Sequence, residues 1–270
     1  MDRTRFFKLL ALVAALPALP AAAQNFDDVL EARLLTGWRQ ADGSHMAALQ
    51  LDLAPGWKTY WRAPGDAGIP PIFNMTGSGN LSDAQVVWPR PEVFMQNGMR
   101  SIGYEGRVVL PMRVMPRQSG ADIELRAQVE IGICEEICIP QTLNISALLP
   151  AQDTAKNAKI RASLADVPFS GAEAGASNVT CALEPSEDGM QLTARFSLPP
   201  QGRGEAVVIE TANPLLWVAE PDVTRRGNTV TAVTELQHVD GKSFAIKRDG
   251  VTITVLSAKQ AVEIKGCARG

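Results

Sequence analysis

The chain has 270 residues, with 26 basic side chains against 29 acidic ones, a net charge of −3 and an isoelectric point near 5.5. Its basic residues are scattered along a slightly acidic chain, which leaves no electrostatic footprint for nucleic acid or anionic lipid. Beyond the first two dozen residues no apolar run reaches the roughly 20 residues that a bilayer-spanning helix needs, so the chain is read as not membrane-spanning.

At the amino terminus Arg3, Arg5 and Lys8 precede an apolar run from Leu9 to Leu19 and the small residues Ala21, Ala22 and Ala23. That order is the signature of a secretory signal peptide over residues 1–23. Thr4 separates the two arginines, so the twin-arginine signal for export of folded proteins is absent. The chain is expected to cross unfolded, to lose residues 1–23 and to work in the periplasm, an oxidising compartment.

Next come strand signals. Met46–Leu53, Arg107–Val114 and Ile123–Ile131 have the composition of strands, and the last alternates strictly, with Ile123, Leu125, Ala127, Val129 and Ile131 on one face. Pro- and Gly-rich stretches such as Ala63–Pro71 cannot continue a hydrogen-bonded ladder and read as turns. Short strands punctuated in this way predict an all-β sandwich over residues 24–150. Residues 151–177 change character. Asp153 is the expected cap of a short helix through Ala155, Ile160 and Leu164, and Ser170–Gly175 reads as a flexible linker. Alternation then returns at Leu192–Leu198, Thr229–Leu236 and Val251–Leu256, which predicts a second β-sandwich over residues 178–270.

The four cysteines form an even set, read as two disulfides with three possible connectivities. Cys181 lies in the first predicted strand of the second domain and Cys267 in the last, after Ala261–Lys265. First and last strands of a sandwich are often neighbours, so this pair is read as a structural staple. Cys134 and Cys138 sit in Ile133-Cys134-Glu135-Glu136-Ile137-Cys138, just after the alternating strand. In a continuous strand they would be ~13 Å apart, well beyond disulfide range, so a bond between them requires a chain reversal. A hairpin loop of Glu135, Glu136 and Ile137 supplies one. Closing so small a ring adds little stability, so as a staple this pair would contribute less than a Cys181–Cys267 bridge, and the spacing alone leaves stapling and exchange both open. Glu130, Glu135 and Glu136, with no cation between residues 130 and 140, are expected to raise the thiol pKa and make the couple comparatively reducing.

Four segments taken together resemble a known family: Pro55–Gly68 with its Trp57-Lys58-Thr59-Tyr60-Trp61 core, Val87–Pro91, Gly103–Gly106 and Cys134–Pro140. Their order is similar to that of the amino-terminal periplasmic domain of the disulfide reductase DsbD, and more closely to its ScsB relatives. The resemblance covers roughly residues 27–150. It implies an immunoglobulin-like fold in the first sandwich, with two such domains in tandem. It also implies protein-disulfide reductase activity through Cys134 and Cys138, with no cofactor beyond the redox-active disulfide. Its partners would be a membrane electron carrier and thioredoxin-like periplasmic proteins. By position Cys138 would lead the exchange and Cys134 resolve it. The family's aromatic cap would correspond to the region of Phe94, Met95, Gln96 and Tyr104, with Trp57, Tyr60 and Trp61 lining the site or the sandwich core. Because the chain has neither transmembrane helices nor a thioredoxin-type domain, the carrier is expected to be a separate polypeptide.

Two other functions fit parts of the sequence. A copper-tolerance protein would bind Cu(I) through soft ligands drawn from Cys134, Cys138, Met95 and Met99. A non-catalytic interaction module would keep both disulfides as staples. His45 and His238 are read as ordinary surface residues, and no dedicated metal-ligand cluster, catalytic triad or phosphate-binding loop is recognised.

Overall fold

The computed structural model describes residues 28–96 and 98–270; the expected signal peptide lies outside the described residues. Among the described residues, ten strands build the first sandwich. They are β1 (Leu30–Arg39), β2 (His45–Leu53), β3 (Lys58–Tyr60), β4 (Ile72–Asn74), β5 (Leu81–Val86), β6 (Glu92–Gln96), β7 (Met99–Glu105), β8 (Arg107–Pro116), β9 (Ile123–Cys134) and β10 (Cys138–Leu149). One sheet has the order β1-β2-β8-β5, and the other β10-β9-β3-β7-β6 with β4 also paired to β9. The alternation in β9 explains the layering. Ile123, Leu125, Val129, Ile131 and Ile133 are buried between the sheets, whereas Glu124, Arg126, Gln128 and Glu130 are exposed on the outer face. Each such buried aliphatic side chain contributes about 1.5–3 kcal/mol, and a one-residue slip of register would turn the whole set outward.

A helix, α1 (Ala158–Ala165), follows, and it packs its fully buried Ile160 onto Trp38, Met46 and Ala48. Its cap is Asn157, whose side-chain oxygen accepts from the backbone N–H groups of Lys159 and Ile160, and not the expected Asp153. Asp153 instead accepts from Ala155 N in the preceding turn, and its carbonyl accepts from Arg39 N.

The second sandwich contains β11 (Phe169–Ser170), β12 (Ser177–Pro185), β13 (Met190–Ser197), β14 (Ala206–Glu210), β15 (Leu216–Val218), β16 (Asp222–Arg226), β17 (Thr229–His238), β18 (Thr252–Leu256), β19 (Ala261–Lys265) and β20 (Ala268–Arg269). Its sheets have the orders β11-β19-β18-β14 and β15-β17-β13-β12-β20, with β16 on β17. The stretch expected to be a flexible linker is a fixed turn. β11 pairs in parallel with β19, and the Ser170 backbone N–H and hydroxyl both donate to the Glu173 carboxylate at 2.8 and 2.7 Å. Composition alone pointed to a free coil; an edge strand waiting about 90 residues further on captures it. Ala206, Val208, Leu256 and Ala261 of the second sandwich pack into the apolar core of the first.

His45, read from sequence as a surface residue, is fully buried at the start of β2, with its Nε2 2.5 Å from the Thr36 carbonyl oxygen. His238 is half-buried, its Nδ1 accepting from Asp240 N. Burial pushes the His45 pKa below the ordinary value of 6.5. The unfolded chain therefore binds a proton at a higher pH than the folded one. Stability should fall as pH drops below about 6.5, by at most ~1.4 kcal/mol per pH unit from this group, until the folded-state pKa is reached. Equilibrium denaturation of His45→Gln should show a shallower acid slope than the parent; equal slopes would contradict the assignment.

Candidate functional site

β9 and β10 form a two-stranded antiparallel ribbon of twelve residue pairs whose last pair, at the turn, is Cys134 opposite Cys138. Glu135, Glu136 and Ile137 make the three-residue loop, and all three are exposed, Ile137 to 75%. The ribbon brings the two Cα atoms to 4.2 Å and the sulfurs are bonded. The two ends of this disulfide differ: Cys134 is fully buried, and Cys138 is exposed.

The pair belongs to the outer face of its sheet. Side chains alternate along β9, so Cys134 shares a face with Gly132 and Glu130, while Ile133 and Ile131 point into the core. On its other side β9 pairs with β3, where Lys58 lies opposite Cys134 and Thr59 opposite Ile133. Directly opposed residues point the same way, which places Lys58 and, two residues on, Tyr60 on the cysteine face. The Thr59 hydroxyl ties the strands by donating to the Gly132 carbonyl oxygen at 2.9 Å.

Tyr60 closes the site. Its hydroxyl lies 2.7 Å from Cys134 Sγ and 3.1 Å from Cys138 Sγ, and 3.4 Å from the Ala67 carbonyl oxygen. A disulfide has no proton to give, so the phenol is the donor. Burial raises the Tyr60 pKa above its ordinary value of 10, which keeps that proton in place. The ring fits because Gly132 has no side chain: a Cβ there would stand 2.7 Å from Ile69 Cβ and 3.1 Å from Tyr60 Cδ2. Gly68 lies against the opposite side of the same ring. The segment from Ala67 to Ile69 is therefore a flap over Tyr60 and Gly132.

The remaining aromatic candidates divide. Trp61 and Tyr104 are buried in the first core and Trp57 packs partly buried against it; the Tyr104 hydroxyl donates to the Pro89 carbonyl oxygen at 2.9 Å. Phe94 is on β6, three strands from β9, and receives the Lys58 ammonium 5.1 Å from its ring centroid. Met95 and Met99 are exposed, to 70% and 50%, near the β6–β7 turn, and the side chain of Gln96 lies outside the described atoms. Sequence reasoning missed Lys58, Ala67, Gly68 and Ile69. Lys58 was legible in principle, since a strand through residues 58–60 puts it on the face of Tyr60; the flap was not, because its contacts are tertiary.

Cys181, in β12 and fully buried, is bonded to Cys267, between β19 and β20, with Cα atoms 5.7 Å apart. Among the described residues no cluster of three or more His, Cys, Asp or Glu side chains is arranged to hold a metal ion, and no helix is long and apolar enough to cross a membrane.

Fold and site together define an immunoglobulin-like sandwich that presents a disulfide at a hairpin on its outer face, joined to a second sandwich. Residues 31–150 match the family described as thiol:disulfide interchange protein DsbD, N-terminal. That segment is thus similar to the amino-terminal domain of DsbD- and ScsB-like proteins. Over 92% of its length it is similar in fold to the N-terminal periplasmic domain of ScsB from Proteus mirabilis, with a TM-score of 0.65, 21% identity and 97% of that chain covered. Among curated proteins none matches the sequence.

Proposed function

We propose that this protein is a periplasmic thiol-disulfide interchange protein that relays electrons through Cys134 and Cys138, from a membrane electron carrier or its thioredoxin-like intermediary to client disulfides. The observation that carries this reading is the asymmetry of the pair: one sulfur open to solvent, the other buried beneath a phenol that can donate to it. In the loading step a donor thiolate attacks Cys138 Sγ. A new sulfur–sulfur bond forms to the donor, the Cys134–Cys138 bond breaks, and its electron pair stays on Cys134. The departing thiolate accepts the Tyr60 hydrogen bond, which is stronger to an anion than to a neutral sulfur. The donor's second thiolate then displaces Cys138, leaving the donor oxidised and this pair as a dithiol after uptake of two protons. The reverse sequence reduces a client. Sulfur carries both electrons, so the reading requires no other cofactor.

The test is titration of the full chain in glutathione buffers of graded ratio, with differential alkylation and mass analysis of each cysteine. Cys134 and Cys138 should reduce together and reversibly while Cys181–Cys267 remains bonded. Resistance of both pairs, or their joint reduction only on unfolding, would sink the proposal in favour of a static module.

Tyr60→Phe removes the donated hydrogen bond while keeping the ring. A hydrogen bond to a charged group is worth about 1.5–3 kcal/mol, so the variant should hold at least tenfold less Cys134 thiolate at a given pH. Attack on the disulfide should slow as well, because a more basic thiolate is a poorer leaving group. Ultraviolet titration of the reduced protein and stopped-flow reduction by a dithiol measure the two effects; an unchanged titration would show that the phenol only packs.

A further inference from the structure

The segment that leads into the flap over Tyr60 is fastened to the second sandwich. Arg62 follows Tyr60 by two residues, and its guanidinium stacks on Trp61 with 4.2 Å to the ring centroid. It crosses to the other domain as a fork: Nε and Nη2 donate to the two carboxylate oxygens of Glu210, each at 2.9 Å, and Nη2 also donates to Glu263 at 2.6 Å. Arg62, Glu210 and Glu263 are about four-fifths buried, with 23%, 21% and 21% of their side chains exposed. A planar, bidentate, charge-assisted pair fixes orientation as well as distance, which a lysine in the same place would do less well. Arg100 makes a parallel crossing, with Nη1 3.1 Å from Glu220 and Nη2 3.4 Å from the Val207 carbonyl oxygen.

These anchors converge on one short segment. The Ile102 N–H donates to the Pro64 carbonyl oxygen at 2.9 Å. The Arg100 carbonyl lies so close to Gly65 that a Cβ there would stand 2.8 Å from its oxygen, at a φ of +78° that few other residues adopt. From Gly65 the chain runs straight into Ala67, Gly68 and Ile69, the residues against Tyr60 and Gly132. Apolar contact between the sandwiches already holds the domains together. Partly buried ion pairs bring a desolvation cost that makes them poor glue, and their distinctive property is directional placement.

We propose that Glu210 and Glu263, acting through Arg62, are positioning residues: the second sandwich holds segment 61–69 in place and thereby keeps the Tyr60 hydroxyl on the Cys134–Cys138 sulfurs. This assigns the second domain a part in tuning the exchange, and it rests on the exchange reading above. Releasing the clamp lets the flap and the phenol drift, weakens the hydrogen bond available to the Cys134 thiolate and favours the disulfide.

The experiment measures the equilibrium of Cys134–Cys138 with glutathione in the full chain for wild type, Arg62→Lys, Arg62→Ala, Glu210→Gln/Glu263→Gln, Tyr60→Phe and Arg62→Ala/Tyr60→Phe. Arg62→Ala and the double glutamine variant should each shift the equilibrium toward the disulfide by about threefold, or ~14 mV for this two-electron couple. Arg62→Lys should fall between them and wild type. On the Tyr60→Phe background Arg62→Ala should add nothing, an outcome that a purely structural ion pair does not produce. The double glutamine variant keeps the side-chain shapes and serves if Arg62→Ala fails to fold. Midpoints identical to wild type, or an Arg62→Ala effect that persists in full without the phenol, would overturn the clamp while leaving exchange intact. A wild-type pair that no glutathione ratio reduces would overturn both.

Discussion

Cys134→Ala should react with oxidised glutathione to form a stable mixed disulfide at Cys138, at least tenfold faster than Cys138→Ala forms one at Cys134. The cause is access. A linear arrangement of three sulfurs is needed for exchange, and only Cys138 is open to solvent; Cys134 is fully buried under Tyr60. Each single variant also lacks the thiol that would resolve the adduct, so an adduct once formed persists. Intact-mass measurement under non-reducing conditions gives both rates. Equal rates, or a faster Cys134, would reverse the assignment of Cys138 as the entry point. Both variants should have lost turnover of a client disulfide altogether, since a two-electron relay cannot run on one sulfur.

Cys181→Ala/Cys267→Ala should cost the folded protein about 4.5 kcal/mol, against about 2 kcal/mol for Cys134→Ala/Cys138→Ala. In the chain-entropy account the benefit grows with the logarithm of the loop closed, and the two loops differ greatly, with sequence separations of 86 and 4. The location adds to the difference, because Cys181 is part of the buried core of the second sandwich and Cys138 touches solvent. Chemical denaturation of the two double variants beside wild type measures the ranking. A larger loss from the hairpin pair would mean that it is the staple and would count against the exchange reading.

Much of this architecture can be read from local pattern because strand periodicity is a two-residue property. Ile123 to Ile133 alternates in the sequence and alternates between core and solvent in the fold, and the same holds for Leu192, Ala194 and Phe196. The hairpin at Glu135–Ile137 was equally legible, since two bonded cysteines four positions apart demand a reversal. Local signals failed where a distant partner competed. Asn157 and Asp153 are both competent caps, and the choice fell to the residue that lets Ile160 reach Trp38 and Met46. Ser170–Gly175 has the composition of a linker, yet β19 was there to pair with. His45 is a polar residue beside a turn that the sheet buries regardless.

By itself, then, the sequence determined the strands, the tandem sandwiches and the close pairing of Cys134 with Cys138 at a reversal, because those depend on side-chain period and on spacing along the chain. Only the tertiary structure decided which sulfur is exposed, that the Tyr60 hydroxyl sits against both, and that Arg62 meets Glu210 and Glu263. Those facts join residues 74, 148 and 201 positions apart. Contacts at such separations follow from how whole sheets pack, and no window of neighbouring residues contains them.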